Sequence, residues 1–131
     1  MMNSIFLYPI DGSFDVAAVE QFLATRSDVL LDPVGSGIYM VCGLPEAKKE
    51  YRKRRLADPS RFPYVVLVTV KPDHVNVFQE YGDEDRLRSA RDIVRWIIEH
   101  NRCRVEDEYR EDWTERVAQQ GAGVLYPAQL V

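Results

Sequence analysis

Apolar residues along this chain switch between two periods, and the switches outline its elements. Residues 4–10, SIFLYPI, are β-rich and close on Asp11-Gly12, which reads as a strand followed by a turn. Ser13 or Asp15 then caps a helix in which Val16, Val19, Phe22 and Leu23 recur at spacings of three and four, ending near Arg26. Residues 29–33 and 38–42 flank Gly35-Ser36-Gly37 and predict a short-looped hairpin, with Pro33 marking a strand end. A second hairpin joins the apolar run 64–70 to residues 74–81 through Lys71-Pro72-Asp73. Its first strand, YVVLVTV, is apolar almost throughout, as a central buried strand should be.

Gly82-Asp83 opens the strongest helix. Asp83, Glu84 and Asp85 stand where the helix dipole favours negative charge. Leu87, Ala90, Val94, Ile97 and Ile98 make its apolar face, widened by Ile93 and Trp96. The acidic stretch after Cys103 predicts one or two further helical turns through Trp113 to Val117, broken by Gly121-Ala122-Gly123. The tail VLYPAQLV predicts a short edge strand or a segment lying along the surface.

Together these elements predict an α+β domain spanning 1–131. It has a mostly antiparallel sheet of about five strands and two main helices on one face, broadly ferredoxin-like. A basic excursion at 44–61 and an acidic segment with tail at 104–131 are added to that frame. A chain of 131 residues can bury a core without disulfide staples.

Charge changes the picture because it is sorted. Residues 44–61 carry Lys48, Lys49, Arg52, Lys53, Arg54, Arg55 and Arg61 against Glu46, Glu50 and Asp58, a local net of +4. Residues 106–115 carry Glu106, Asp107, Glu108, Glu111, Asp112 and Glu115 against Arg110, a local net of −5. Patches of opposite sign steer and orient charged partners without implying chemistry. The overall charge of −4 argues against a general nucleic-acid binder, although a local basic stripe remains available.

No catalytic constellation stands out. Tyr8-Pro9-Ile10-Asp11 bears a superficial likeness to the strand-end aspartate motif of haloacid-dehalogenase-type phosphatases, but the nucleophile position holds Pro9. Gly35-Ser36-Gly37 lacks the longer glycine loop, Lys and following helix of a phosphate site. His74, His100, Cys42 and Cys103 are the whole histidine and cysteine inventory and form no close ligand pairs, so no metal site and no cofactor are expected. His100 reads as a helix C-terminal residue favourable to the dipole. Two cysteines suit a reduced, cytoplasmic setting, and no apolar run is long enough for a signal peptide or a membrane span.

The expected function is therefore a non-catalytic protein-interaction domain. A stoichiometric inhibitor or a toxin-neutralising, immunity-type protein is the model, by analogy of size, charge and compactness. The candidate partner-binding residues are Glu106, Asp107, Glu108, Tyr109, Glu111, Asp112 and Trp113, set against a basic protein surface. Tyr109 and Trp113 fall i, i+4 on the expected helix; their size favours docking on the core, while exposure would make them a binding hot spot. The alternatives are a small-ligand regulatory module and a nucleic-acid binder using Lys48, Lys49, Arg52, Lys53, Arg54 and Arg55.

Overall fold

The structure, a computed structural model, describes residues 2–26, 29–31, 37–41, 66–79 and 84–126. The basic segment at 44–61, the tip of the first hairpin and Cys42 lie outside the described residues. In chain order the elements are β1 (Ser4–Pro9), α1 (Val16–Thr25), β2 (Val29–Leu31), β3 (Ile38–Val41), β4 (Val66–Val70) and β5 (Val75–Gln79). They continue with α2 (Glu84–His100), β6 (Cys103–Asp107), α3 (Thr114–Gln120) and a final 3₁₀ turn (Ala122–Val124).

Six strands form one sheet in the order β2-β3-β4-β5-β1-β6, every neighbouring pair antiparallel. The α+β class and the antiparallel sheet are as the hydrophobic periodicity predicts. Because β5 and β6 both run antiparallel to β1, the β5–α2–β6 connection is a crossover with β1 paired inside it. β1 and β4 are related in the same way through β5.

The period of two decides which way each strand faces. Ile5 and Leu7 of β1, Val66, Val68 and Val70 of β4, Val75 and Val77 of β5, and Val105 of β6 all point to one side and are buried. There they meet Val19 and Leu23 of α1 and Leu87, Ala90, Ile93, Val94 and Ile97 of α2, making one core. Asp15 caps α1 as its position predicts, its carboxylate accepting from the Ala18 N–H at 3.1 Å. Gly37, at φ +76°, lies so close to Val70 that an added Cβ would stand 2.7 Å from the Val70 carbonyl oxygen. That close approach and the left-handed backbone both require glycine.

Two expectations at the C-terminal end are corrected. The stretch after Cys103 is a strand, not a helix: Cys103, Val105 and Asp107 turn inward while Arg104 and Glu106 turn outward, and β6 pairs with β1 from Pro9↔Cys103 to Ile5↔Asp107. Helix begins only at Thr114, so α3 is a third, short helix. The tail through Tyr126 is neither an edge strand nor a surface segment. Leu125 and Tyr126 are fully buried, and the Tyr126 hydroxyl donates to the Val77 carbonyl at 2.6 Å. Arg91 of α2 fixes this segment by donating through Nε to the Leu125 carbonyl (2.8 Å) and through a terminal nitrogen to the Tyr126 carbonyl (2.7 Å).

Candidate functional site: the acidic turn after β6

Asp107 organises the acidic stretch. Its side chain is 4 % exposed, and its carboxylate accepts from the Tyr109 N–H (2.8 Å), the Glu111 N–H (3.0 Å) and the Trp113 indole N–H (3.0 Å). A buried carboxylate needs such partners, and these three also dictate the path of the chain. The backbone closes the turn through Asp107 N–H to Glu111 carbonyl (3.1 Å) and Arg110 N–H to Asp107 carbonyl (3.0 Å), with Arg110 left-handed at φ 64°.

Tyr109 rides at the tip, 72 % exposed. The expected helical alignment of Tyr109 with Trp113 is absent, because the chain reverses between them. Trp113 is half-buried against the core, and the Arg116 guanidinium lies 3.6 Å from its ring centroid. Arg116 also bonds Glu111 at 2.8 Å. Trp, Tyr and Arg, the residues that dominate binding hot spots, are thus gathered within one turn and the helix after it.

The other acidic residues divide their work. Glu106 pairs with Arg104 at 2.8 Å and opposes Asp112 in an isolated bridge. Glu108 accepts from the Asn3 N–H. Asp112 accepts from the Thr114 N–H at 2.9 Å, occupying a donor that the first turn of α3 leaves without a helical partner. Hydrogen bonds from the Thr114 side chain and then its backbone hold the Asp112 carboxyl below the ordinary carboxylate range. The outer edge of β6 is engaged by the same segment: Val105 donates to Thr114 Oγ1 (2.8 Å) and accepts from the Trp113 N–H (2.8 Å). Of the candidate residues, then, Asp107 and Asp112 build the turn, Trp113 anchors it, and Glu108, Tyr109 and Glu111 stand outward.

The histidines and the described cysteine sit apart from this turn. His74, at the β4–β5 turn, places Nδ1 2.9 Å from Asp73, whose carboxyl it holds below the ordinary range. His100 ends α2, its Nδ1 2.8 Å from the Trp96 carbonyl oxygen, and its ring stacks on Trp96 at 4.1 Å between centroids. Phe22 covers the other face of Trp96, also at 4.1 Å. Beside this stack runs a groove of about 560 Å³, lined by Asp15, Gln21, Phe22, Thr25, Trp96 and Asn101 among others. Cys103 is buried, and burial pushes its thiol up to about 11, the opposite of what a nucleophilic thiolate requires.

Among the described residues, no group of three or more His, Cys, Asp or Glu side chains is placed to hold a metal ion. Nor is any described helix long and apolar enough to cross a membrane. Comparison with protein-family models, curated proteins and solved structures finds no match to this chain.

Two features escaped the sequence reading. One is the Arg91–Tyr126 clasp, whose signal was an apolar pair, Leu125 and Tyr126, inside an otherwise nondescript tail. The other is the second face of the sheet. The alternation Phe6-Leu7-Tyr8 and Asn76-Val77-Phe78 turns Leu7 and Val77 to the core and places Phe6, Tyr8 and Phe78 together on the opposite face.

Proposed function

We propose that this protein acts by contact, as a protein-interaction domain of the stoichiometric-inhibitor or immunity type, presenting the acidic turn after β6 to a basic partner surface in the cytoplasm. The observation that carries this reading is the exposure of Tyr109, 72 %, at the tip of a turn whose backbone Asp107 holds in place. An aromatic anchor presented on a rigid turn loses little entropy on binding, so more of its contact energy reaches the complex. Glu108 and Glu111 flank the anchor and complement a cationic cleft, contributing chiefly to encounter rate and orientation.

A tagged pull-down from native lysate, treated with nuclease and washed at raised salt, tests the reading. It predicts a stoichiometric protein partner that Tyr109→Ala weakens by about 2 kcal/mol, roughly thirtyfold. Glu108→Lys slows its association further. Retention of the partner at full strength by both folded variants would sink the proposal.

The small-ligand alternative draws support from the groove between α1 and α2, whose volume is in the range of ligand pockets. A copurifying metabolite or a thermal shift that Trp96→Ala abolishes would favour it.

A further inference from the structure

The groove between α1 and α2 has a chemical bias that its polar residues share. α1 with its cap, and the last turn of α2 with Asn101, supply the whole lining of this cavity of about 560 Å³. Its wall is aromatic. Trp96 lies between Phe22 and His100, with ring separations of 4.1 Å on each side and interplanar angles of 3° and 19°. Both indole faces are therefore covered, and what Trp96 turns to the groove is its edge. Ring edges carry the positive part of the aromatic quadrupole, so the face of a flat apolar group packs well on them.

The polar groups around that wall direct their donors inward, onto helix carbonyls. The Thr25 hydroxyl donates to the Phe22 carbonyl (2.6 Å) and the Asn101 amide to the Ile97 carbonyl (3.0 Å). His100 Nδ1 lies 2.8 Å from the Trp96 carbonyl oxygen, which can only accept, so Nδ1 carries the hydrogen and Nε2 is the acceptor of the neutral ring. Asp15 accepts from the Ala18 N–H through one oxygen, and no described cation pairs with its carboxylate. A hydroxyl oxygen, an amide oxygen, a ring nitrogen and a carboxylate are left to face a ligand, and all of them accept. The Gln21 amide, which can turn either way, adapts to what those acceptors hold.

Charge points the same way. The N-terminus of α1 and the C-terminus of α2 both border the groove, and their opposite half-charges offset one another, leaving Asp15 to set the sign. No lysine or arginine stands among the lining residues, all of which are described. Arg102, next to Asn101, is paired with Asp11 at 3.5 Å.

We propose that this groove binds a small organic amine, its ammonium at the Asp15 carboxylate and its flat apolar body on the rings of Phe22 and Trp96. His100 Nε2, Thr25 and Asn101 accept from any further N–H or O–H group the ligand carries. An ammonium brings three donors and a positive charge, which is what acceptors gathered around one carboxylate lack. A carboxylate or phosphate ligand would meet lone pairs and like charge instead. The inference rests on the small-ligand reading of this groove and adds the chemical class of its occupant. Tyr109 takes no part in it.

Three probes that share an indole ring and a two-carbon arm isolate the end group: tryptamine (ammonium), tryptophol (hydroxyl) and indole-3-propionate (carboxylate). The two tryptophans of the chain give two indole N–H signals in a correlation spectrum of nitrogen-labelled protein. Trp96 borders the groove and Trp113 does not, so the second signal is an internal control. Tryptamine is expected to move the Trp96 signal saturably and leave that of Trp113 still. Tryptophol should bind about fivefold more weakly, the size of an exposed ion pair, and indole-3-propionate more weakly again. Asp15→Asn keeps the helix cap and removes the charge, so it should weaken tryptamine about fivefold and leave tryptophol unchanged. Binding of tryptophol or indole-3-propionate as tight as that of tryptamine, or tryptamine binding indifferent to Asp15→Asn, overturns the amine assignment and leaves a groove for another class of ligand. A Trp96 signal unmoved by all three probes overturns the assignment and the small-ligand reading together.

Discussion

Asp107 is the residue on which the candidate surface depends, and its burial makes it sensitive. Three donors aim at one carboxylate that water barely reaches. Asp107→Ala leaves all three without their acceptor and is expected to cost about 3 kcal/mol, measured by urea unfolding. It should also loosen the turn, seen as faster amide exchange at Tyr109 and Glu111. Asp112 works differently, at the surface. Its folded carboxyl lies below the unfolded range, so its charge stabilises the fold above about pH 4 and that contribution fades as pH falls through the lower folded value. Asp112→Asn keeps an acceptor and removes the charge. Wild type should be the more stable at pH 7, by on the order of 0.5 kcal/mol given the exposure, with the gap closing as pH falls below the ordinary carboxylate range. An unfolding series across that range reads the difference directly. Neither role was visible in the sequence: a run of Glu and Asp shows its net charge but not which carboxylate is turned inward.

Periodicity reads well for elements that bury one face, and less well where a buried polar residue interrupts the pattern. α2 was fully legible because Leu87, Ala90, Val94 and Ile97 recur at helical spacing and all reach the core. β6 was not, because its third inward position is Asp107. Replaced by an apolar residue, Cys-Arg-Val-Glu-X would read as a strand at once. The closing segment escaped for another reason. Its place is set by a long-range partner, Arg91, whose guanidinium satisfies the Leu125 and Tyr126 carbonyls together. Arg91→Ala is predicted to destabilise the protein by about 2 kcal/mol and to raise hydrogen exchange selectively across residues 122–126. Arg91→Lys should recover only part of that loss, since an ammonium cannot match the planar fork. Full recovery by Arg91→Lys would argue that charge alone holds the segment.

Across the whole molecule, the sheet separates three tasks. One face makes the core with α1 and α2, the other carries Phe6, Tyr8 and Phe78, and the β6 edge is occupied by the chain's own residues at Trp113 and Thr114. Engagement of that edge matters because a free strand edge invites pairing with other chains. The α+β class was legible from alternating and helical runs, but the assignment of faces required the register, which no run of residues states by itself.

The burial of Tyr126 also sets a timetable. Its hydroxyl is bonded to the middle of β5, and its backbone N–H lies 3.1 Å from the Met2 sulfur, so residues 124 positions apart meet in the core. A chain still threaded through the ribosomal tunnel holds its most recent residues out of reach. The sheet can therefore pair during synthesis, but its core is sealed only after Tyr126 emerges. Until then the core beside Val77 lacks the Tyr126 side chain that covers it.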